Sequence, residues 1–106
     1  LLRGSIVSEI GQLTDLVVLN SGLTAFTESI PSELGLVTKL RRLILYDNKL
    51  SNTIPNELGS LSKLTRAEFS SNSLSGSIGS EIGQLTDLKV LSLYLNAFTG
   101  SIPSEL

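Results

Sequence analysis

The sequence predicts an α/β solenoid: a right-handed superhelix with short parallel β-strands on its concave face and 3-10 or short helical turns on its convex face. Three observations predict it: a 24-residue period that runs the length of the chain, a strand motif inside each period, and a Pro- and Gly-punctuated return segment between motifs. The period stands on independent columns. Ile6, Ile30, Ile54, Ile78 and Ile102 keep the 24-residue step. So do Leu16, Leu40, Leu64 and Leu88; Gly11, Gly35, Gly59 and Gly83; and Glu9, Glu33, Glu57, Glu81 and Glu105.

The strand comes first. Leu40-Arg41-Arg42-Leu43-Ile44-Leu45-Tyr46-Asp47-Asn48-Lys49-Leu50 reads L-x-x-L-x-L-x-x-N-x-L. Alternate side chains of a strand point to opposite faces, so the leucines point inward and the intervening residues outward. One strand per repeat, stacked at about 4.8 Å on the next, makes a parallel sheet. The unit from Leu88 to Phe98 keeps Leu91, Leu93 and Asn96. The unit from Leu64 to Leu74 substitutes Ala67 and Phe69 and keeps Asn72. The first unit, Leu16 to Phe26, is degenerate, with Ser21 for Leu and Thr24 for Asn. An Asn after each strand can satisfy turn backbone that would otherwise be buried unpaired, so Asn48, Asn72 and Asn96 are expected to form a structural ladder. The turn at Thr24 is expected to be looser.

The return segment follows, as in Ser29-Ile30-Pro31-Ser32-Glu33-Leu34-Gly35. Pro31, Pro55 and Pro103 suit the first position of a short helical turn, where a missing N–H costs nothing. Glu in that turn complements the local dipole. Gly is expected at the exit for positive φ. Segments 4–19 and 76–91 agree at 14 of 16 positions, which points to duplication of a three-repeat block. The chain therefore reads as one domain, residues 1–106. It has a partial repeat at 1–15, strand units starting at 16, 40, 64 and 88, and no caps. An interior stretch of a longer array is expected, with flanking repeats or caps.

Composition removes several function classes. A net charge of −2 argues against nucleic acid as the main partner. No stretch approaches the roughly 20 apolar residues of a membrane span, and no secretory leader is visible. With no Cys and no His, zinc, haem and thiolate chemistry lack their usual ligands, and a Ser-His or Cys-His nucleophile is excluded. No metal, cofactor or catalytic residue is expected. The Glu column is read as first-turn acid rather than as paired catalytic carboxylates, because it falls on the convex side without a cleft.

Binding then falls to the outward strand positions. Candidate ligand-contacting residues are Arg42, Ile44, Tyr46, Asp47, Arg66, Glu68, Ser92 and Tyr94. Six of the eight basic residues lie in the two middle repeats, with Arg42 and Arg66 on adjacent strands. Two Arg beside Tyr46 and Tyr94 suit an acidic or planar group of a protein or peptide ligand. A rival reading uses the hydroxyl columns Ser5, Ser29, Thr53, Ser77, Ser101 and Thr27, Ser51, Ser75, Thr99 to order water or meet an ice surface.

Phe98-Thr99-Gly100-Ser101-Ile102-Pro103-Ser104-Glu105-Leu106 and Ile54-Pro55-Asn56-Glu57-Leu58-Gly59-Ser60-Leu61 resemble the L-T-G-x-I-P-x-x-L-G-x-L signature of the plant-type leucine-rich-repeat family. The resemblance spans the chain. It implies a non-catalytic binding scaffold of the kind found in receptor-kinase ectodomains, secreted inhibitors and some antifreeze proteins, and so an extracellular or cell-surface location. Glu28 and Asn52 stand where the signature has Gly, which predicts an irregular second sheet at the first two junctions.

Overall fold

The computed structural model describes residues 8–20 and 27–99. Strands β1 (Val18–Asn20), β3 (Arg42–Ile44), β5 (Arg66–Glu68) and β7 (Val90–Ser92) form one parallel sheet in that order. Strands β2 (Thr27–Ser29), β4 (Lys49–Asn52), β6 (Ser73–Gly76) and β8 (Ala97–Phe98) form a second parallel sheet. Between them run the 3-10 turns Ser8–Gln12, Ser32–Leu36, Asn56–Ser60 and Ser80–Gln84. Each repeat is thus strand, strand, turn, and each element stacks on its equivalent one repeat away. In the first sheet the register puts Arg42 between Val18 and Arg66, and Ile44 between Asn20 and Glu68.

The inward leucines close the core. Leu40, Leu43, Leu45 and Leu50 of one repeat are fully buried, as are Leu64, Ala67, Phe69 and Leu74 of the next. Phe69 and Ala67 exchange volume with the two leucines they replace, so the looser motif still fills its layer. Leu16, Leu19, Leu88, Leu91, Leu93 and Phe98 in the outer repeats pack against this core but stay partly exposed.

Three expectations about the turns need correction. Pro31 and Pro55 sit one residue before their 3-10 turns, in extended backbone with ψ of 141° and 138°. Their carbonyls accept the first turn bonds, from Leu34 and Leu58. Gly79 takes the same place with φ −71° and ψ 153°. Pro103 lies outside the described residues. The glycine column does not serve positive φ. An added Cβ on Gly11, Gly35 or Gly59 would lie 2.8, 2.5 or 2.6 Å from the carbonyl oxygen of Glu33, Glu57 or Glu81 in the next repeat. These glycines let successive turns approach backbone to backbone. Finally, the second sheet is regular at the first two junctions: β2, which contains Glu28, pairs with β4, and β4 pairs with β6. Asn52 replaces the signature Gly by adopting φ +64°, close to the +74° of Gly76. Asn is among the few residues with a side chain that tolerate this region.

Positive φ appears elsewhere with the repeat's own period, at Asp47, Ser71 and Leu95 (+53°, +58°, +57°). Each precedes a ladder Asn, and this left-handed step reverses the chain between the two sheets. The Asn amides then bind inward. Asn72 Nδ2 donates to the Phe69 and Ser70 carbonyls of its own turn and to the Leu45 carbonyl of the preceding repeat, at 3.0–3.2 Å. Its Oδ1 accepts the Leu50 N–H at 3.0 Å. Asn96 repeats the pattern on Leu93, Tyr94, Phe69 and Leu74. Asn48 Nδ2 donates to the Leu45 and Tyr46 carbonyls. One side chain therefore satisfies backbone in two repeats at once. The turn at Thr24 lies outside the described residues.

Candidate functional site

The first sheet and the turns that leave its strands carry every candidate ligand-contacting residue. Arg42 and Ile44 lie in β3, Arg66 and Glu68 in β5, and Ser92 in β7. Tyr46, Asp47 and Tyr94 lie in the turns that follow β3 and β7. Short parallel strands at about 4.8 Å bring these residues, far apart in sequence, onto one surface.

The surface divides into two neighbouring recesses. One lies at the C-terminal ends of the strands and is lined by Tyr46, Asp47, Glu68, Ser70, Ser71 and Tyr94. The other lies at their N-terminal ends and is lined by Arg42, Thr65, Arg66, Lys89 and Val90. The expected grouping of two Arg beside two Tyr is therefore drawn out along the strands, with arginines at one end and tyrosines at the other. Tyr46 and Tyr94 are two repeats apart, roughly 10 Å by strand spacing. Tyr94 is 65% exposed and Tyr46 half-buried. Ser70 lies buried between their repeats.

Ile44 is the exception among the candidates. It sits in the outward register but is only 7% exposed. On this face it is surrounded by Arg42 and Tyr46 along its own chain and by Asn20 and Glu68 across the strands. Its side chain is therefore buried in the free chain and offers little surface to a partner. Ser92 is half-buried and lines neither recess; its carbonyl accepts the Phe69 N–H.

The arginines differ in charge environment. Arg66 Nη1 lies 2.8 Å from Glu68 Oε2. Residues i and i+2 of a strand share a face, so this pair was readable from the sequence. Arg42 makes no such pair among the described residues. Lys39 pairs with Asp15 at 3.0 Å, one 24-residue step away, but both are highly exposed and the bridge contributes little. Thr65 and Lys89, which share the basic recess, were not singled out in the sequence. The signal that could have found them is the 24-residue column of Arg41, which continues through Thr65 to Lys89. Among the described residues there is no cluster of metal-ligating side chains. No helix among them is long and apolar enough to cross a membrane.

On the second sheet's side, Ser29, Thr53 and Ser77 are all exposed and border one shallow polar recess with Asn52 and Asn56.

A family model described as Leucine Rich Repeat matches residues 39–61. No curated protein sequence matches the chain. Solved structures do. The chain is similar to the ectodomain of the plant membrane receptor kinase GASSHO1/SCHENGEN3 from Arabidopsis thaliana, solved with CASPARIAN STRIP INTEGRITY FACTOR 2. The identity is 39% and the TM-score 0.95, over 97% of this chain and 12% of that one. It is also similar to the Arabidopsis receptor kinase HAESA, solved with the peptide hormone IDA and a co-receptor. There the identity is 35% and the TM-score 0.92, over 97% of this chain and 17% of that one. A plant ice-binding protein is similar at 33% identity and a TM-score of 0.88, over 98% of this chain and 34% of that one. The chain thus spans about an eighth to a third of the length of these three relatives.

Proposed function

Because the chain is a leucine-rich-repeat solenoid of the plant type, we propose that it is a non-catalytic binding scaffold that holds an acidic peptide or protein segment across the β1-β3-β5-β7 face. The observation that carries this reading is the pair of adjoining recesses on that face. One is basic, around Arg42 and Arg66; the other sets Tyr46, Ser70, Ser71 and Tyr94 beside the carboxylates of Asp47 and Glu68, which keeps a ligand's acidic group at the basic end. Arginine takes a carboxylate in fork geometry. Tyr supplies broad contact area at low entropic cost. A segment running along the strands would set its acidic group on the arginines and its body on the tyrosines. The complexes of the receptor ectodomains with a peptide hormone and with CASPARIAN STRIP INTEGRITY FACTOR 2 support this use of the fold. They also support an extracellular or cell-surface setting.

The test is selection of a random peptide library on the immobilised chain. Enriched sequences should be acidic, and a synthetic copy should lose at least tenfold in affinity for the double variant Arg42→Glu/Arg66→Glu. An enriched peptide that binds the double variant as well as the parent would overturn the assignment.

A second reading has its own observation. Ser29, Thr53 and Ser77 stand exposed in successive repeats, and one structural relative is an ice-binding protein. A hydroxyl row at about the strand spacing would order surface water. Recrystallisation inhibition by the parent chain, lost in Thr53→Tyr/Ser77→Tyr, is the expected result; a parent with no inhibition removes this reading.

A further inference from the structure

The N-terminal edge of the first sheet gathers positive charge that the scaffold itself does not neutralise. Stacking sets Val17, Arg41, Thr65 and Lys89 in one row, because the Arg41, Thr65 and Lys89 N–H groups donate to the Val17, Arg41 and Thr65 carbonyls at 2.7–2.8 Å. Lys63 stands beside this row, and a recess is lined by Arg41, Lys63, Thr65, Thr86, Asp87 and Lys89. Three cations therefore face one carboxylate in a chain whose net charge is −2. Arg41, Lys63 and Lys89 make no salt bridge among the described residues, whereas Lys39 and Arg66 are both paired. The Thr65 hydroxyl is held in place by donating to the Arg41 carbonyl at 3.0 Å. The Arg41, Thr65 and Lys89 backbone N–H groups are already used, so the recess offers charged side-chain donors around a fixed floor.

Like charges set side by side repel, and at a surface that repulsion is relieved by salt or by a bound anion. A recess, unlike a flat face, presents its donors to one small group from several sides. Arg41 supplies a planar fork; Lys63 and Lys89 supply compact charges on flexible stems. Together they suit a tetrahedral oxyanion, whose oxygens diverge, better than a planar carboxylate. We infer that Arg41, Lys63 and Lys89 form an oxyanion site that takes a phosphate or sulfate ester carried by a partner. This site lies beside the face used in the proposed function and does not require Tyr46 or Tyr94. The N-terminal basic recess shares Thr65 and Lys89 with it, so one partner can span both.

The probes are phenyl phosphate, phenyl sulfate and, as the uncharged control, phenol. Each is titrated into the isotopically labelled chain at low ionic strength while backbone amide resonances are followed. Both esters are expected to shift Arg41, Thr65 and Lys89 saturably, and phenol is not. Lys63→Ala/Lys89→Ala should weaken both esters at least tenfold while leaving the remaining spectrum dispersed. Asp87→Asn should strengthen them several-fold, an effect that loss of folding cannot mimic. Lowering pH from 7.5 to 5 takes a phosphate ester through its second ionisation, near about 6, but leaves a sulfate ester unchanged. Phosphate binding should weaken over that range and sulfate binding should not. Tenfold preference for phosphate at pH 7.5 identifies a phosphate ester as the source, and equal or tighter sulfate binding identifies a sulfate ester. The inference fails if neither ester saturates, if phenol gives the same shifts, or if the double Ala variant binds as the parent does. Because these probes are not peptides, failure here leaves the acidic-peptide reading standing, and the reverse also holds.

Discussion

Removing the middle rung of the Asn ladder tests whether these side chains hold the repeats together. In Asn72→Ala four hydrogen bonds disappear, but their losses are unequal. The Phe69 carbonyl still receives Asn96 Nδ2, the Leu45 carbonyl still receives Asn48 Nδ2, and the Ser70 carbonyl still receives the Asp47 N–H. Each of these three losses is worth about 0.5 kcal/mol, the low end for a net hydrogen bond. The Leu50 N–H, in contrast, donates to Asn72 Oδ1 from a fully buried residue. Leaving it unpaired costs about 1–3 kcal/mol. The sum is about 2.5–4.5 kcal/mol, a large share of the roughly 5–15 kcal/mol expected for a domain of this size. Urea denaturation followed by circular dichroism reads it as a midpoint lowered by about 1–2 M, taking a slope of roughly 2 kcal/mol per M. Asn72→Asp sharpens the test. It keeps the acceptor for Leu50 but points a carboxylate oxygen at three carbonyls, which raises the pKa of the new carboxyl in the folded state. The folded variant then holds a proton more tightly than the unfolded chain, so stability is highest below the unfolded value of about 3.9 and falls as pH rises through the folded one. The Asp variant should be less stable than the Ala variant at pH 7 and should recover toward pH 4. A midpoint loss under about 0.3 M for Asn72→Ala, or no pH dependence for Asn72→Asp, would refute the ladder's energetic role.

The turn columns give three further predictions. Gly59→Ala drives a methyl to 2.6 Å from the Glu81 carbonyl and should lower stability by about 1–3 kcal/mol, read as a drop in Tm. Gly79→Pro should raise stability by about 0.5–1 kcal/mol, because φ is already −71° and only the Asn56 and Glu81 side-chain ends must move; a fall in Tm would show that they cannot. Leu95→Asn should also stabilise, by roughly 1 kcal/mol, since Leu95 sits at φ +57° with 71% of its surface exposed and loses little packing; an unchanged urea midpoint would contradict the strain assigned to it.

Periodicity made the scaffold legible in the sequence, and the reason is physical. A residue that recurs every 24 positions meets the same neighbours in every repeat, so its role is averaged over several copies of one environment. Leu40, Leu64 and Asn72 could be placed in that way. The misread positions are those whose role depends on the adjacent repeat and not on their own. Gly35 and Gly59 looked like φ-positive exits, because a single repeat suggests only local uses for Gly. Their function is the contact with Glu57 and Glu81 one layer on, which exists only after stacking. Asn52 looked like a break in the second sheet because it stands where the signature has Gly, yet it adopts φ +64° and the sheet continues.

The binding face shows the same limit from the other side. Alternation placed Ile44 outward, and it does lie in the outward register, opposite Asn20 and Glu68; it is nonetheless buried, which alternation along one strand does not reveal. Arg42 and Arg66 were expected on adjacent strands, and the register does make them neighbours. Glu68 separates them, since it pairs with Arg66 and leaves Arg42, like Lys89 in the same recess, without a salt bridge among the described residues. Position within the repeat thus sets which face a residue occupies, while its cross-strand neighbours set whether it is available to a partner. A solenoid can in this way keep every scaffold column constant and change specificity by altering one residue in an outward column. It follows that Glu68→Gln, which frees Arg66 without touching the core, should strengthen capture of an acidic peptide, and that Glu68→Lys should strengthen it further. If both variants bind such a peptide no better than the parent, the arginine pair is not where its charge is read.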